Sequence, residues 1–190
     1  MNHVCRLNLK LNYTVPAGLP VEFRKLPFLQ PPDMMDPHNP DKDWYFVSDW
    51  RSPAVKDANG NMVQVCVRPA ITRPDGYLQG AHTDGVSIPE AAGVLMRQSH
   101  WGLPELCFGL PHDLAYAAEL APRATCDNWL FDWAEMAGVH WVQRELDYEA
   151  VHGFGGGVWD THTTASVSEA RLFAQVVAAG APVVWPTIGE

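Results

Sequence analysis

The sequence predicts an α+β fold, with N-terminal antiparallel strands followed by a helical bundle that contains an antiparallel helix pair. Three observations predict it. Up to residue 82, apolar and polar residues alternate in short runs separated by Asn-Gly and Asp-Gly turns. From about residue 90, the apolar spacing changes to the three-and-four pattern of helices. Strands come in one block and helices in the next, which argues against an alternating βαβ chain.

Residues 6–13 read as a half-buried strand, with Leu7, Leu9 and Leu11 on one side and Arg6, Asn8, Lys10 and Asn12 on the other. A second, short strand is expected at 21–24. Residues 27–43 contain Pro27, Pro31, Pro32, Pro37 and Pro40, so they form an extended loop or arm rather than a helix. Residues 44–50 read as a strand. Asp57-Ala58-Asn59-Gly60-Asn61 is a turn, because Asn-Gly supplies positive φ at little cost. Residues 62–67 form the returning strand, and the turn Pro74-Asp75-Gly76 leads to a last one at 77–82. Helices are expected near 90–98, 111–121, 125–137, 140–152 and 165–179, punctuated by Pro122, Gly138 and the glycine run 153–157. Residues 1–156 make one α+β domain, and 157–190 a C-terminal extension with one helix.

Composition narrows the function. The 190-residue chain is 47% hydrophobic and carries eight Trp, enough to bury a sizeable core. Its net charge of -9, with only 13 Lys and Arg, argues against a partner that is a nucleic acid or an anionic membrane surface. No apolar run reaches the roughly 18–20 residues of a membrane span, so no membrane insertion is expected. The N-terminus lacks an apolar signal core, so no secretion signal is read there. Cys5, Cys66, Cys107 and Cys126 form no CxxC pair and read as buried free thiols in a reducing compartment.

Chemistry concentrates at Pro111-His112-Asp113-Leu114-Ala115-Tyr116 and at Cys126-Asp127-Asn128-Trp129-Leu130-Phe131. Leu106, Leu110, Leu114, Ala117 and Ala121 form an apolar stripe. His112 and Tyr116, four apart, share nearly the opposite face. Asp127 lies with Leu130, Phe131 and Ala134, where a carboxylate needs a partner. A turn near 120–123 would fold the two helices antiparallel and bring His112 and Asp127 to similar heights. Asp127 would then accept the proton of one His112 nitrogen, leaving the other to act on water and Asp113 to hold a metal. The structural alternative has Asp113 at a helix start beside Pro111, Asp127 as an N-cap, and His112 and Tyr116 as packing residues.

The loop Gly80-Ala81-His82-Thr83-Asp84-Gly85-Val86-Ser87-Ile88-Pro89 joins the two halves. It reads as a structural turn entering a helix, or as a source of further ligands. Asp84 with Asp113 would suit calcium or magnesium, whereas His82 with His112 would suit zinc. His100, His140, His152 and His162 are isolated along the chain and read as structural. The glycine run lacks the pattern of a phosphate-binding loop.

Several of these pieces together resemble an uncharacterised family of bacteriophages and prophages, domain of unknown function 1353. They are Thr83-Asp84-Gly85-Val86-Ser87-Ile88-Pro89, His112-Asp113 with Tyr116, Asp127 with Phe131, Gly138-Val139, and Tyr148-Glu149-Ala150-Val151-His152-Gly153-Phe154-Gly155. The resemblance spans roughly residues 60–156. It implies a phage origin, other phage-particle proteins as partners, and a location in the host cytoplasm and then in the particle. Pro111 stands where that family has an apolar residue, which predicts an interrupted helix. The His-Asp-x-x-Tyr segment also resembles the helix pair of phospholipase A2. That resemblance implies His112 as base for water, Asp113 as a calcium ligand, and Asp127 with Tyr116 as orienting groups. The chain lacks that family's glycine-rich calcium loop before the histidine and its bracketing disulfides, since Ala115 cannot pair with Cys126.

Two functions are expected on these grounds. One is a metal-assisted hydrolase of an ester or cell-envelope component, virion- or tail-associated, with His112 as base and calcium or zinc as cofactor. The other is a purely structural or assembly protein of the phage particle. For that role the proline arm, the abundant Trp and the segment 159–190 would supply docking or oligomer contacts.

Overall fold

The computed structural model describes Pro20, Phe23, residues 26–85 and residues 105–188. The strand expected at 6–13, most of that at 21–24, the helix near 90–98, Cys5, His100 and the 86–89 half of the joining loop lie outside those residues.

The α+β class holds. Short strands come first: β1 (Leu29–Gln30), β2 (Trp44–Phe46), β3 (Trp50–Arg51), β4 (Val55–Lys56), β5 (Met62–Val67), β6 (Ile71–Thr72), β7 (Leu78–Gln79) and β8 (His82–Thr83). They are followed by α1 (Glu105–Ala117), α2 (Arg123–Met136), α3 (Trp141–Trp159), α4 (Thr164–Phe173) and a final strand β9 (Ala174–Ala178). All strand pairings among the described residues are antiparallel. They form β1-β2-β8, β6-β7, and a sheet in which β5 pairs with β3, β4 and β9.

The strand expected at 44–50 is divided between β2 and β3, which belong to different sheets. The Asp57–Asn61 turn closes the β4–β5 hairpin, with the Asp57 carboxylate accepting from the backbone of Asn59 and Asn61. β5 is the buried spine. Val63, Gln64, Val65, Cys66 and Val67 are all buried, because β3, β4 and β9 flank the strand and α1 packs against it.

The proline segment is not a projecting arm. Buried Asp36 accepts from the Tyr45 hydroxyl, and buried Asn39 bonds the backbone of Asp43 in both directions. These bonds tie the segment to β2, leaving Phe28, Met34 and Met35 exposed.

The C-terminal part departs most from expectation. Residues 165–179 are not one helix. After Phe173 the chain extends, and β9 pairs with β5 at five positions, from Val63↔Ala178 to Val67↔Ala174. Gln175, Val176 and Val177 suit a strand, since β-branched residues pack well on a pleated surface. The segment after residue 156 therefore completes the central sheet instead of trailing from it.

Helix α1 passes through Pro111 without interruption. Proline removes one backbone bond there, and burial of nearly every residue from Leu106 to Tyr116 holds the helix together. It ends in a two-bond reversal, with the Leu120 N–H on the Ala115 carbonyl and the Glu119 N–H on that of Tyr116. Helix α2 starts after Pro122 and ends in the same reversal, with Gly138 at φ 80°. Both helices pack antiparallel on the sheet. Trp129 and Trp133 dock α2 by donating their indole N–H to the carbonyls of Lys56 (2.7 Å) and Pro53 (3.0 Å). Trp50, Trp129 and Trp133 are buried, so much of the tryptophan expected to serve docking is core.

Helix α3 also outruns its expected end. It continues through the glycine run to Trp159. Each helical glycine costs about 0.5–1 kcal/mol relative to alanine, and two of these have a packing reason. A Cβ on Gly155 would sit 2.6 Å from the Tyr116 hydroxyl, and one on Gly156 would sit 3.4 Å from Nη1 of Arg123.

Candidate functional site

Three helical stripes meet at one place. From α1 come His112 and Tyr116, four residues apart. From α2 come Arg123, Asp127 and Phe131, again at four-residue steps, and from α3 Tyr148 and His152. Asp127 lies inside α2 rather than at its start, so it is not an N-cap. Asp113 is two turns into α1, too far from the N-terminus to serve the helix dipole.

The Asp127 carboxylate is the centre, with its side chain fully buried. One oxygen, Oδ2, lies 3.1 Å from Nδ1 of His152. The other, Oδ1, lies 3.8 Å from Nε2 of His112, within ion-pair range but too long for a hydrogen bond. The far side of the His112 ring is taken as well, since Nδ1 lies 3.1 Å from Oδ1 of Asp113. Asp113, His112, Asp127 and His152 thus form a chain of alternating carboxylates and imidazoles running from α1 to α3.

Burial of His112 favours the neutral ring, but its two carboxylate neighbours outweigh burial and raise its pKa above 6.5. Burial likewise favours protonated Asp127, yet the His112 ring beside it, the His152 hydrogen bond and the charges of His112 and Arg123 win and lower its pKa below 3.8. Asp127 is therefore ionised, and Nδ1 of His152 carries the proton it shares with Oδ2.

This arrangement corrects the expected division of roles. Asp127 does face His112, but His112 has no nitrogen open to water. Its side chain is only 7% exposed, and both nitrogens point at carboxylates. The open imidazole is His152, 46% exposed. Its ring stacks on Tyr148 at 8° and 5.4 Å, which fixes the plane. Beyond the Asp127 bond on Nδ1, no described residue bonds the His152 ring. Tyr116 does not reach the dyad as an orienting group. Its hydroxyl donates to the Gly155 carbonyl at 2.8 Å, and its ring packs on Trp159 and His112.

The expected metal ligands do not assemble. His82 lies on β8 with Nδ1 2.8 Å from Oδ2 of Asp43. Asp84 is at an exposed bend beyond β8. His82 and Thr83 pair with β2. Asp113 is engaged by His112. Among the described residues, no group of three His, Cys, Asp or Glu side chains is arranged to hold a metal ion.

His140 caps α3 and His162 pairs with Glu119, both structural roles, as expected. Cys66, Cys107 and Cys126 are buried free thiols, and burial pushes Cys126 up to about 12. No helix of the described residues is long and apolar enough to cross a membrane.

His152 is the functional candidate that reading along the chain missed. Its signal was the four-residue step Tyr148–His152, matched by Arg123–Asp127–Phe131 on the neighbouring helix. Each pattern is ordinary alone, and only their apposition makes a dyad.

Compared with protein families, with curated proteins and with solved structures, the chain has no match.

Proposed function

We propose that this chain is a hydrolase-like protein of a bacteriophage particle, in which Asp127 and His152 act together as a general base. One observation carries the reading. A fully buried, ionised carboxylate holds Nδ1–H of a histidine whose ring is half exposed. Such a pairing fixes the tautomer and leaves Nε2 as the proton acceptor.

The reaction it suits is hydrolysis of an ester, for example in a cell-envelope component. Nε2 of His152 takes a proton from water as the water oxygen attacks the ester carbon. Asp127 balances the imidazolium that forms. The carbon–oxygen bond then breaks, and His152 returns the proton to the departing alcohol.

The association with a phage particle rests on the family-like motifs in the sequence, from Thr83-Asp84-Gly85 to His152-Gly153-Phe154-Gly155. The test uses the purified full chain on a panel of simple esters. Activity that falls about 100-fold or more in His152→Ala, with the thermal melt unchanged, supports the dyad. Equal activity in that variant rejects it.

A second reading, an assembly protein with no catalysis, is favoured by the exposed Trp141, Val142 and Leu146 on α3. Purified particles that contain the chain, together with full infectivity of His152→Ala phage, would favour it.

A further inference from the structure

The dyad has a cation beside it that the reaction above does not use. Arg123 opens α2, one helical turn before Asp127. Its Nη1 donates to the His152 carbonyl at 3.2 Å, and its guanidinium adjoins the Tyr116 hydroxyl. Its charge also acts on the Asp127 carboxylate. A guanidinium has five N–H donors, and these contacts use few of them. None of its nitrogens is both buried and unpartnered, so the remaining donors face solvent.

The other two cations in the helices from α1 to α4 are committed. Arg144 pairs with Glu135 and lies over the Phe131 ring. Arg171 donates to the carbonyls of Ala118 and Glu119. Like Arg171, Arg123 is anchored by a backbone oxygen with no carboxylate bonded to it among the described residues; it differs in being held by His152, the residue with the exposed imidazole. In a chain of net charge -9, an arginine left without a carboxylate partner beside the exposed histidine calls for an anion from outside.

The glycine run makes room for it. Alanine at Gly156 would bring a methyl group to 3.4 Å from Nη1, and at Gly155 to 3.7 Å. Any longer side chain there would cover the guanidinium. A helix with three consecutive glycines, Gly155 to Gly157, is thermodynamically costly, and the first two leave Arg123 uncovered.

We propose that Arg123 is the anion-recognition residue of this site, so that the substrate carries a phosphate or carboxylate close to the bond presented to His152. The inference rests on the Asp127–His152 reading and deepens it by naming the substrate class. A planar guanidinium with spare donors matches the two oxygens of either anion. Held by the carbonyl of His152 itself, Arg123 keeps a fixed distance from the base.

The test reads binding without turnover. The full chain is titrated separately with inorganic phosphate and with acetate, using chloride at equal ionic strength as control. The Arg123 Nε–H and His152 ring resonances are followed by NMR. A saturable shift with phosphate indicates a phosphoryl-bearing substrate, and one with acetate indicates a carboxylate. The shift should weaken at least about tenfold in Arg123→Gln. Equal shifts with chloride, or binding unchanged in Arg123→Gln, overturn the proposal. If Arg123→Gln does not fold, Arg123→Lys decides, since it keeps the charge and loses the two-pronged geometry; equal affinity in it overturns the proposal. His152→Ala separates the two readings. It keeps the backbone carbonyl that anchors Arg123, so it should retain anion binding while losing hydrolysis. Hydrolysis that depends on His152 without anion binding sinks only this inference, and anion binding with hydrolysis unchanged in His152→Ala sinks the dyad.

Discussion

Asp127 is ionised inside the helical layer because it is shared by two histidines, and that sharing sets its pH behaviour. The His112 pKa is raised, so its contribution to stability is complete below its unfolded value of 6.5 and is lost as pH rises through the higher folded value. The Asp127 pKa is lowered, so its contribution is present above its unfolded value of 3.8 and is lost as pH falls through the lower folded one. Thermal melts across pH should therefore decline on both sides, with His112→Gln flattening the alkaline limb. An alkaline limb of unchanged steepness in that variant would contradict a charged His112. Replacing Asp127 with Asn removes the charge that both rings face. The loss should be about 3–5 kcal/mol by denaturant titration, the cost of breaking a buried pair from one side. At this scale the sequence was half legible. It pointed to His112 and Asp127 as neighbours, because their places on the two helices follow from helical geometry. It could not assign the open imidazole, because burial is a property of the packed layer.

Helix boundaries depended on local chemistry that could be read and on packing that could not. Pro122 stands just before the start of α2 and Gly138 just past its end, as expected, since proline lacks a donor the first turn does not need and glycine adopts a conformation that a Cβ disfavours. Gly138→Ala should cost about 1–2 kcal/mol in chemical denaturation, because φ is 80° there. Pro111 and the glycine run are the opposite case, with strong local signals overridden by burial of α1 and by close approach of α1 and α2 to α3. The glycines are not equivalent. Gly153 meets nothing within 4 Å, so Gly153→Ala should stabilise by about 0.5–1 kcal/mol. Gly155→Ala should destabilise by about 1–3 kcal/mol, because the added carbon lands on the Tyr116 hydroxyl. Similar effects of the two substitutions on the melting temperature would count against this packing.

The molecule as a whole is closed by its last strand. β9 covers one side of β5 with residues more than 100 positions later in the chain, and α1 packs across both. Deleting residues 174–190 should therefore abolish cooperative unfolding, not merely shorten the chain; a truncated chain with a sharp melt would show the extension to be dispensable. The buried tryptophans serve the same closure. Trp133→Phe keeps most of the volume but removes one of two donors to the Pro53 carbonyl, the other being the Ser52 hydroxyl, and should cost about 0.5–1.5 kcal/mol in a denaturant titration.

The sequence by itself determined the α+β order, the turn at 57–61 with the strand that follows it, the antiparallel pair α1–α2 and the meeting of His112 with Asp127. Each follows from periodicity or turn chemistry acting over a few residues. The tertiary structure alone decided that residues 174–178 are a strand, that α3 continues through its glycines, and that the exposed partner of Asp127 is His152. These depend on pairing and burial between distant segments, which local propensity does not encode.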